Sequence, residues 1–339
     1  MRIDVAAHIL PARYFERLRG IGEFFMAKRM KSVPALVDLD VRFRIMDAFG
    51  DYRQVLSLSI PIDRLGSPEV TPDLARFGND ELSGLVAEHP DRFVGAFGGL
   101  PLNNPEASLR ELDRLAASAE CVGVQIYSNV AGRPLDEPRT LEIIEEAARR
   151  HMLIFLHPVR GADVPDYAGE RRSLFDIWQI FAWPYETAVA MTRLVFAGLF
   201  DRHPDAVVIT HHLGGMVPHF AGRIQGGYDQ FGTRGAEDEL ETFPRSLARP
   251  PAWYFTRFYA DTALFGAPHA VRCGLDYFSP DRVLFGTDTP YDVEGGSRYI
   301  RDTIAALDRC GLPPERRQMI DEGNFRRVLA RRQEARLAS

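Results

Sequence analysis

Four side chains that can bind a metal ion each stand at the end of a run of residues typical of a buried β-strand. Imidazole and carboxylate together favour a divalent ion such as zinc or manganese. An ion with an open position can hold a water molecule or a substrate oxygen. One such side chain would be weak evidence, but four on four different strands indicate a shared site. The four are His8, His157, His212 and Asp288.

The stretch at 207–218 carries two adjacent histidines. Residues 207–210 are all β-branched and predict a buried strand. The glycines after the histidines and Pro218 then break it before a helical pattern. Because side chains alternate along a strand, we expect His211 and His212 to face opposite sides, one into the barrel and one toward the helices. Either could instead be a buried histidine whose role is structural.

The elements that would position these side chains alternate between strands and helices along the whole chain. We therefore predict an α/β fold, a single distorted (β/α)8 TIM barrel that forms one domain over residues 1–339. A doubly wound sheet is the alternative, but no GxGxxG follows an early strand. Irregular segments at 20–40 and 161–181 predict insertions over the C-terminal face, the first a candidate lid that contains Phe24. The predicted strands are 3–9, 54–60, 92–97, 121–127, 152–156, 207–210, 255–260 and 283–285, and the main helices are 42–50, 73–89, 105–118, 140–150, 187–202, 301–307 and 323–336.

Composition excludes several classes of protein. The 339 residues carry a net charge of −6 and no basic stripe, so we expect no nucleic-acid partner. The three cysteines are odd in number and lack CxxC spacing, which favours a reduced protein without a disulfide framework. No apolar stretch is long enough to cross a membrane, and we expect a cytoplasmic protein.

Motifs spread over nearly the whole chain resemble one family. The resemblance is to the amidohydrolase-related superfamily. Within it, the chain is similar to the branch that contains aminocarboxymuconate-semialdehyde decarboxylase and the hydroxybenzoate decarboxylases. The matching segments are IDVAAH at 3–8, RFRIMD at 42–47, QVLS at 54–57, GVQIY at 123–127, GRPLD at 132–136, FLHP at 155–158, PYET at 184–187, HLGG at 212–215 and LFGTD at 284–288.

This resemblance implies a barrel with one catalytic divalent metal ion, Zn²⁺ in the first place and Mn²⁺ as the other candidate. By motif position, His8, His157 and Asp288 would be its ligands. His212 would be the acid or base beside the metal, and Asp288 a further proton donor. His211 would then be the structural histidine that faces the helices.

The resemblance also implies residues that bind a substrate carboxylate. Arg223 matches an arginine that crosses a dimer interface, so we expect a homodimer. Arg42 or Arg44 falls where a second carboxylate-binding arginine is expected. A guanidinium binds a carboxylate through two parallel hydrogen bonds, which lysine cannot do. The expected partner is therefore a small carboxylic acid.

One position departs from the family pattern. The family usually has His-x-His or Glu-x-His on the first strand, and Ala6 here occupies the first of these positions. Alanine cannot bind a metal ion. Either water completes the site, or the metal binds weakly, or the protein works without it. Asp4, His211 or a carboxylate of the lid could substitute for the missing ligand.

Three functions remain open at this point. The leading one is a metal-dependent, non-oxidative decarboxylase (a carboxy-lyase) that acts on a small aromatic or unsaturated carboxylic acid. The alternative is a hydrolase of a lactone or amide, or a hydratase, that uses a metal-bound water oriented by His212. The third, which Ala6 suggests, is a metal-free protein that binds a ligand without catalysis.

Overall fold

A computed structural model of the chain describes residues 1–21, 27–233 and 247–338. Its centre is a sheet of eight parallel strands, and each strand pairs with the next in chain order. Parallel neighbours need a crossover between them, and helices supply it, as the alternating pattern predicts. The strands are β1 (Arg2–Ile9), β2 (Tyr52–Leu58), β3 (Phe93–Gly99), β4 (Cys121–Tyr127), β5 (Leu153–His157), β6 (Val208–Thr210), β7 (Tyr259–Asp261) and β8 (Val283–Leu284).

The barrel closes between β1 and the residues that follow β8. The Val5 amide donates to the Phe285 carbonyl at 2.9 Å, and the Asp288 amide donates to the Ala6 carbonyl at 3.0 Å. The His8 amide donates to the carbonyl of Thr289 at 2.9 Å. These bonds bring Asp288 beside His8, although 280 residues separate them in the sequence. The predicted (β/α)8 barrel is therefore confirmed.

Helices surround the barrel, and some of them begin at a residue whose side chain caps the first turn. One example is the helix at Pro105–Ala117, where Asn104 accepts a hydrogen bond from the Ala107 amide and proline occupies the first turn. Its Leu112 and Leu115 are buried against the strands. The helices are α1 (Ala12–Ile21), α2 (Ala27–Lys31), α3 (Leu39–Asp47), α4 (Thr71–Glu88), α5 (Pro105–Ala117), α6 (Pro138–Arg149), α7 (Ile177–Ile180), α8 (Ala182–Phe196), α9 (Leu199–Arg202), α10 (Ala221–Tyr228), α11 (Pro251–Phe255), α12 (Pro268–Tyr277), α13 (Ser297–Arg309), α14 (Pro314–Gln318) and α15 (Asn324–Ala338). Short 3₁₀ turns lie at Pro34–Leu36, Ile62–Arg64, His212–Gly214 and Pro280–Arg282, and a π-turn lies at Met319–Gly323.

Two apolar clusters hold the elements together. The larger one fills the space between the strands and the helices. The smaller one fills the barrel interior, where the rings of Phe97 and Phe155 stack with centroids 5.2 Å apart. Phe325 and Val328 of α15 belong to this inner cluster. The interior is therefore packed with side chains, and chemistry is left to the ends of the strands.

Three predicted elements differ from the structure. The helix predicted over 187–202 is interrupted at Gly198, whose φ of 73° is left-handed and separates α8 from α9. The start of the strand predicted over 255–260 is instead the end of α11, and β7 begins only at Tyr259. The segment 20–40 contains α2 and a 3₁₀ turn rather than one irregular loop. Phe24 of the predicted lid lies outside the described residues.

None of the helices that the structure describes combines the length and the apolar character needed to span a membrane.

Candidate metal centre

His8 and Asp288 form one side of a buried polar cluster at the C-terminal end of the barrel. His8 lies near the end of β1, and its Nε2 is 3.0 Å from Asp288 Oδ1. This nitrogen has no hydrogen bond of good geometry among the described residues. The other ring nitrogen, Nδ1, is 3.0 Å from the Ser57 hydroxyl. The hydrogen bond to Nδ1 thus fixes the ring, and Nε2 faces the cluster.

His157 contributes from the end of β5. Its Nδ1 lies 2.7 Å from the Pro158 carbonyl, which fixes the ring so that Nε2 points away from that carbonyl. The ring centroid is 5.1 Å from that of His8 and 4.8 Å from that of His211. The predicted ligands His8, His157 and Asp288 therefore do meet in one place.

His211 also lies in this cluster, and the expectation that it faces the helices is wrong. β6 ends at Thr210, and both His212 and Leu213 have left-handed φ angles, 53° and 50°. Strand alternation therefore does not apply after Thr210, and the rings of His211 and His212 lie side by side with centroids 3.8 Å apart. His211 Nδ1 is hydrogen-bonded to the carboxylate of Asp261, the last residue of β7.

The cluster has the composition of a site for a divalent ion. One ligand atom from each of four residues, His8, His157, His211 and Asp288, lies within 4.8 Å of the other three. Opposite ligands around a zinc-sized ion are separated by roughly 4 Å, so small side-chain rotations would close the site. All four side chains are at least nine-tenths buried. Buried polar groups without hydrogen-bond partners are rare. An ion would give a partner to Nε2 of His8 and Nε2 of His211, which make no hydrogen bond to the described residues.

The protonation states suit ligands. Burial alone would raise the pKa of Asp288, but His211, His212 and His8 hold that pKa well below its usual range. Burial lowers the pKa of His157 well below its usual value, and the neighbouring histidines lower it further. Asp288 is therefore an anion and His157 a neutral imidazole at neutral pH, which are the forms that bind metal.

His211 differs from His157 in its electrostatic surroundings. Burial lowers its pKa, but the carboxylates of Asp261 and Asp288 outweigh this effect and raise the pKa to about 10. Its Nε2 lies 3.4 Å from Asp288 Oδ1 and makes no hydrogen bond to any described residue. Without metal, His211 is an imidazolium held between two carboxylates.

His212 is close to the cluster but is not anchored. Its Nε2 is 3.6 Å from Asp288 Oδ2, and neither ring nitrogen has a hydrogen-bond partner among the described residues. Burial lowers the pKa of His212, as does the positive His211 beside it. A neutral imidazole with both nitrogens free can accept or donate a proton.

Aromatic rings surround the histidines. Tyr127 and Trp183 pack against His157 with centroids 5.2 Å and 5.6 Å away. Phe265 lies 5.6 Å from His212, and Tyr291 lies 5.8 Å from His8. One of the four, Trp183, lies near the start of α8. The others lie at or after strand ends, and that placement was the available signal: Tyr127 is the last residue of β4, Phe265 follows β7 by four positions and Tyr291 follows β8 by seven.

The structure does not bring Arg42 or Arg44 into the cluster as free guanidiniums. Arg42 is 3% exposed, and its nitrogens donate to the carbonyls of Ala35 and His8 and to the Gln54 side chain. It supports β1 and β2. Arg44 is exposed on α3, where a step of two residues turns the side chain by about 200° to the opposite face.

Arg223 is exposed on α10, away from the histidines. It lines an apolar cavity of about 410 Å³ between α8 and α10, together with Phe220 and Tyr185. Both of these aromatic side chains are exposed, 36% and 53% respectively. The role of Arg223 at a dimer interface stays a prediction.

Comparison with known proteins gives this site a family. The family model described as Amidohydrolase matches residues 3–331. The 2-amino-3-carboxymuconate-6-semialdehyde decarboxylase of Dictyostelium discoideum is 29% identical over 312 residues, 86% of this chain and 82% of that protein. The gamma-resorcylate decarboxylase of Polaromonas sp. strain JS666 is 31% identical over 288 residues, 81% of this chain and 84% of that protein.

One solved structure illustrates the shared fold. The crystal structure of the dihydroxybenzoic acid decarboxylase of Polaromonas sp. JS666, with bound manganese and the inhibitor 2-nitroresorcinol, has a TM-score of 0.77 and 24% identity. The match covers 97% of this chain and 96% of that one. The barrel is therefore shared over nearly its whole length.

Proposed function

Because this chain belongs to the amidohydrolase family, we propose that it is a metal-dependent, non-oxidative decarboxylase of a small aromatic carboxylic acid. The observation that carries the proposal is the buried group of His8, His157, His211 and Asp288 within a wall of aromatic rings. The four polar groups suit a divalent ion. The aromatic wall suits a planar substrate. The relatives that match most of the chain are decarboxylases of related acids.

The buried residues fit such an ion. The Nδ1 atoms of His8 and His157 are held by Ser57 and by the Pro158 carbonyl, so each Nε2 is directed into the cluster. Ligand histidines in metal sites are held in this way by a partner on the other ring nitrogen. We propose His8, His157 and Asp288 as ligands, with manganese and zinc as the candidate ions.

The reaction is the exchange of a carboxylate for a proton on one carbon atom. A divalent ion would supply a Lewis acid that holds the carboxylate or an adjacent hydroxyl oxygen of the substrate. His212, once protonated, donates its proton to the carbon that carries the carboxylate, and Asp288 is the alternative donor in a form protonated when substrate binds. The carbon–carbon bond then breaks, its electron pair stays on the ring, and carbon dioxide leaves.

A guanidinium near the opening would hold the substrate carboxylate. Among the described residues, Arg29 donates to the carbonyl of Tyr291, three residues after Asp288. Arg160 follows His157 by three residues and lies 3.5 Å from Glu186. We propose Arg29 and Arg160 for the role expected of Arg42 and Arg44. Arg223 is retained as a residue that a second copy of the chain would contribute.

We further propose a cytoplasmic homodimer in which residues 1–339 form one domain. The apolar cavity beside Arg223 supports the dimer, since exposed apolar patches commonly mark interfaces. Size measurement in solution tests it. A monomer at micromolar concentration would contradict this part of the proposal alone.

The decisive experiment is an assay for released carbon dioxide. Protein loaded with Mn²⁺ or Zn²⁺ is incubated with γ-resorcylate, other hydroxybenzoates and muconate-type acids, and chelated protein is the control. In heavy water, the product should carry one deuterium at the carbon that lost its carboxylate. Oxygen-18 from labelled water in the product would instead indicate a hydrolase. No carbon dioxide from any acid by metal-loaded protein would contradict the proposal.

A further inference from the structure

β1 offers one metal-binding side chain to the cluster, not two. Ala6, two residues before His8, is fully buried in the inner apolar cluster and has no donor atom. With His8, His157 and Asp288 as ligands, one position around the ion therefore has to be filled by another protein group or by water. Three protein groups are candidates for this position, namely Asp4, His212 and His211.

Asp4 is already committed to the fold. Its two carboxylate oxygens accept hydrogen bonds from the amides of Ala6 and Thr287 and from the hydroxyls of Tyr52 and Thr287. Four donors occupy the four acceptor positions of a carboxylate. A metal ion could bind Asp4 only if these buried donors lost their acceptor. Asp4 is thereby excluded as the substitute.

His212 lacks the anchor that the other histidines have. In His8, His157 and His211, Nδ1 has a partner on the protein and Nε2 faces the cluster. Neither nitrogen of His212 has such a partner, and His212 is not among the four groups that converge within 4.8 Å. This ring is free to move a proton but is not fixed as a ligand.

His211 has every feature of a ligand. It is fully buried, and its Nε2 lies 3.4 Å from Asp288 Oδ1 without a hydrogen bond. Its Nδ1 is held by Asp261, whose other oxygen accepts from the Ala263 amide at 3.0 Å. A histidine held by a carboxylate on its far nitrogen is a strong and well-oriented metal ligand.

The small size of two residues makes room for this pair. A Cβ built at Gly286 would lie 2.7 Å from the Cβ of Asp261 and 3.2 Å from that of Ala6. Asp261, whose carboxylate holds His211, and Ala6 therefore both pack closely against Gly286. Larger side chains at positions 6 and 286 would compete with the Asp261 carboxylate for the same space.

We propose that His211, oriented by Asp261, is the fourth protein ligand of the metal ion. It fills the coordination position that Ala6, which has no donor atom, leaves open. The proposal rests on the proposed function only in using the same metal centre. It assigns His211 to the ion and leaves His212 for proton transfer. The two adjacent histidines of the 207–218 stretch therefore have different roles.

Metal affinity measured without substrate tests this assignment. Chelated protein is titrated with Mn²⁺ and Zn²⁺ in competition with a chromophoric chelator, for wild type, His211→Ala, His212→Ala and His269→Ala. His269 is exposed on α12 and is the matched control. We expect His211→Ala to weaken binding more than 100-fold and the other two variants by less than 3-fold. Wild-type affinity in His211→Ala, or a larger loss in His212→Ala, would overturn the proposal.

Asp261→Asn provides a second test that keeps the histidine. With its oxygen on the Ala263 amide, the asparagine presents its NH₂ group to His211 Nδ1. The imidazole proton then moves to Nε2, which can no longer bind metal. We expect about 10- to 100-fold weaker binding. Unchanged affinity in this variant would contradict the role assigned to Asp261.

Melting temperatures distinguish lost metal binding from a damaged fold. For each variant, the melting temperature with saturating metal is compared with that of the same variant after chelation. We expect the rise produced by metal to disappear in His211→Ala and to persist in His212→Ala. A full rise in His211→Ala would also overturn the assignment. A protein that binds metal through His211 but releases no carbon dioxide would contradict the proposed function and leave this inference intact.

Discussion

Two buried polar clusters lie along the same strands, one around Asp4, the lower cluster, and one around Asp288, the upper cluster. They differ in how many of their polar atoms have hydrogen-bond partners. In the lower cluster, Asp4 receives hydrogen bonds from Tyr52, Thr287 and the Ala6 amide. In the upper cluster, Nε2 of His8, Nε2 of His211 and both ring nitrogens of His212 have no hydrogen-bond partner among the described residues. Both clusters are removed from water.

The difference shows which cluster stabilises the fold and which one performs chemistry. A buried carboxylate with four donors holds β1, β2 and the end of β8 in register. A group of buried imidazoles without partners costs free energy unless something binds there. The upper cluster therefore has to be completed by a ligand, and the lower cluster is already complete. Substitutions in the two clusters should separate these effects.

The largest effect is expected from His157→Ala. Removing an imidazole ligand should lower the metal content from about one ion per chain toward zero and reduce kcat by roughly 10³-fold or more. Metal analysis and carbon dioxide release measure the two effects. The exposed His269→Ala is the control and should match wild type. Stoichiometric metal in His157→Ala would remove His157 from the site.

His212→Ala should reduce activity with the metal still in place. Loss of a proton donor or acceptor typically costs about 10²- to 10⁴-fold in rate. We expect kcat to fall by that amount while the metal content stays near one ion per chain. His219, which is exposed and seven residues further along, provides the control His219→Ala. An unchanged kcat in His212→Ala would leave Asp288 as the proton donor.

The sequence predicts residues on the strands better than residues in the turns that follow them. β4 was predicted with the correct ends because its mostly apolar residues are followed closely by the turn-forming Asn129 and Gly132. The meeting of the side chains at the strand ends was also predictable, since the barrel brings them together whatever the loops do. His211 was misplaced because the left-handed backbone at His212 and Leu213 ends the strand alternation, and no periodicity reports such a turn. The partners of Arg42 could not be predicted, because only the fold brings the carbonyls of Ala35 and His8 and the Gln54 side chain near its guanidinium.

Asp4→Ala should affect stability rather than metal. It removes the acceptor of four buried neutral donors, and each donor left without an acceptor costs about 1–3 kcal/mol, so we expect the free energy of unfolding to fall by roughly 3–5 kcal/mol after partial relaxation. Denaturant unfolding measures this value, and metal affinity under native conditions should stay within a few-fold of wild type. Asp51→Ala is the control, because its side chain is 62% exposed and its ion pairs are 3.8 Å or longer. Loss of metal with unchanged stability would reverse the roles of the two clusters.

The smallest effects concern the arginines. Arg29 donates to the carbonyl of Tyr291 near the upper cluster, whereas Arg44 lies exposed on α3. Arg29→Ala should raise KM about 10-fold, which corresponds to the lower end, roughly 1.5 kcal/mol, of what a charge-assisted hydrogen bond contributes. Arg44→Ala should leave KM and kcat unchanged. An unchanged KM in both variants would mean that neither guanidinium reaches the substrate. A larger effect of Arg44→Ala would mean that α3 moves toward the opening when substrate binds, because its present position faces away from the histidines.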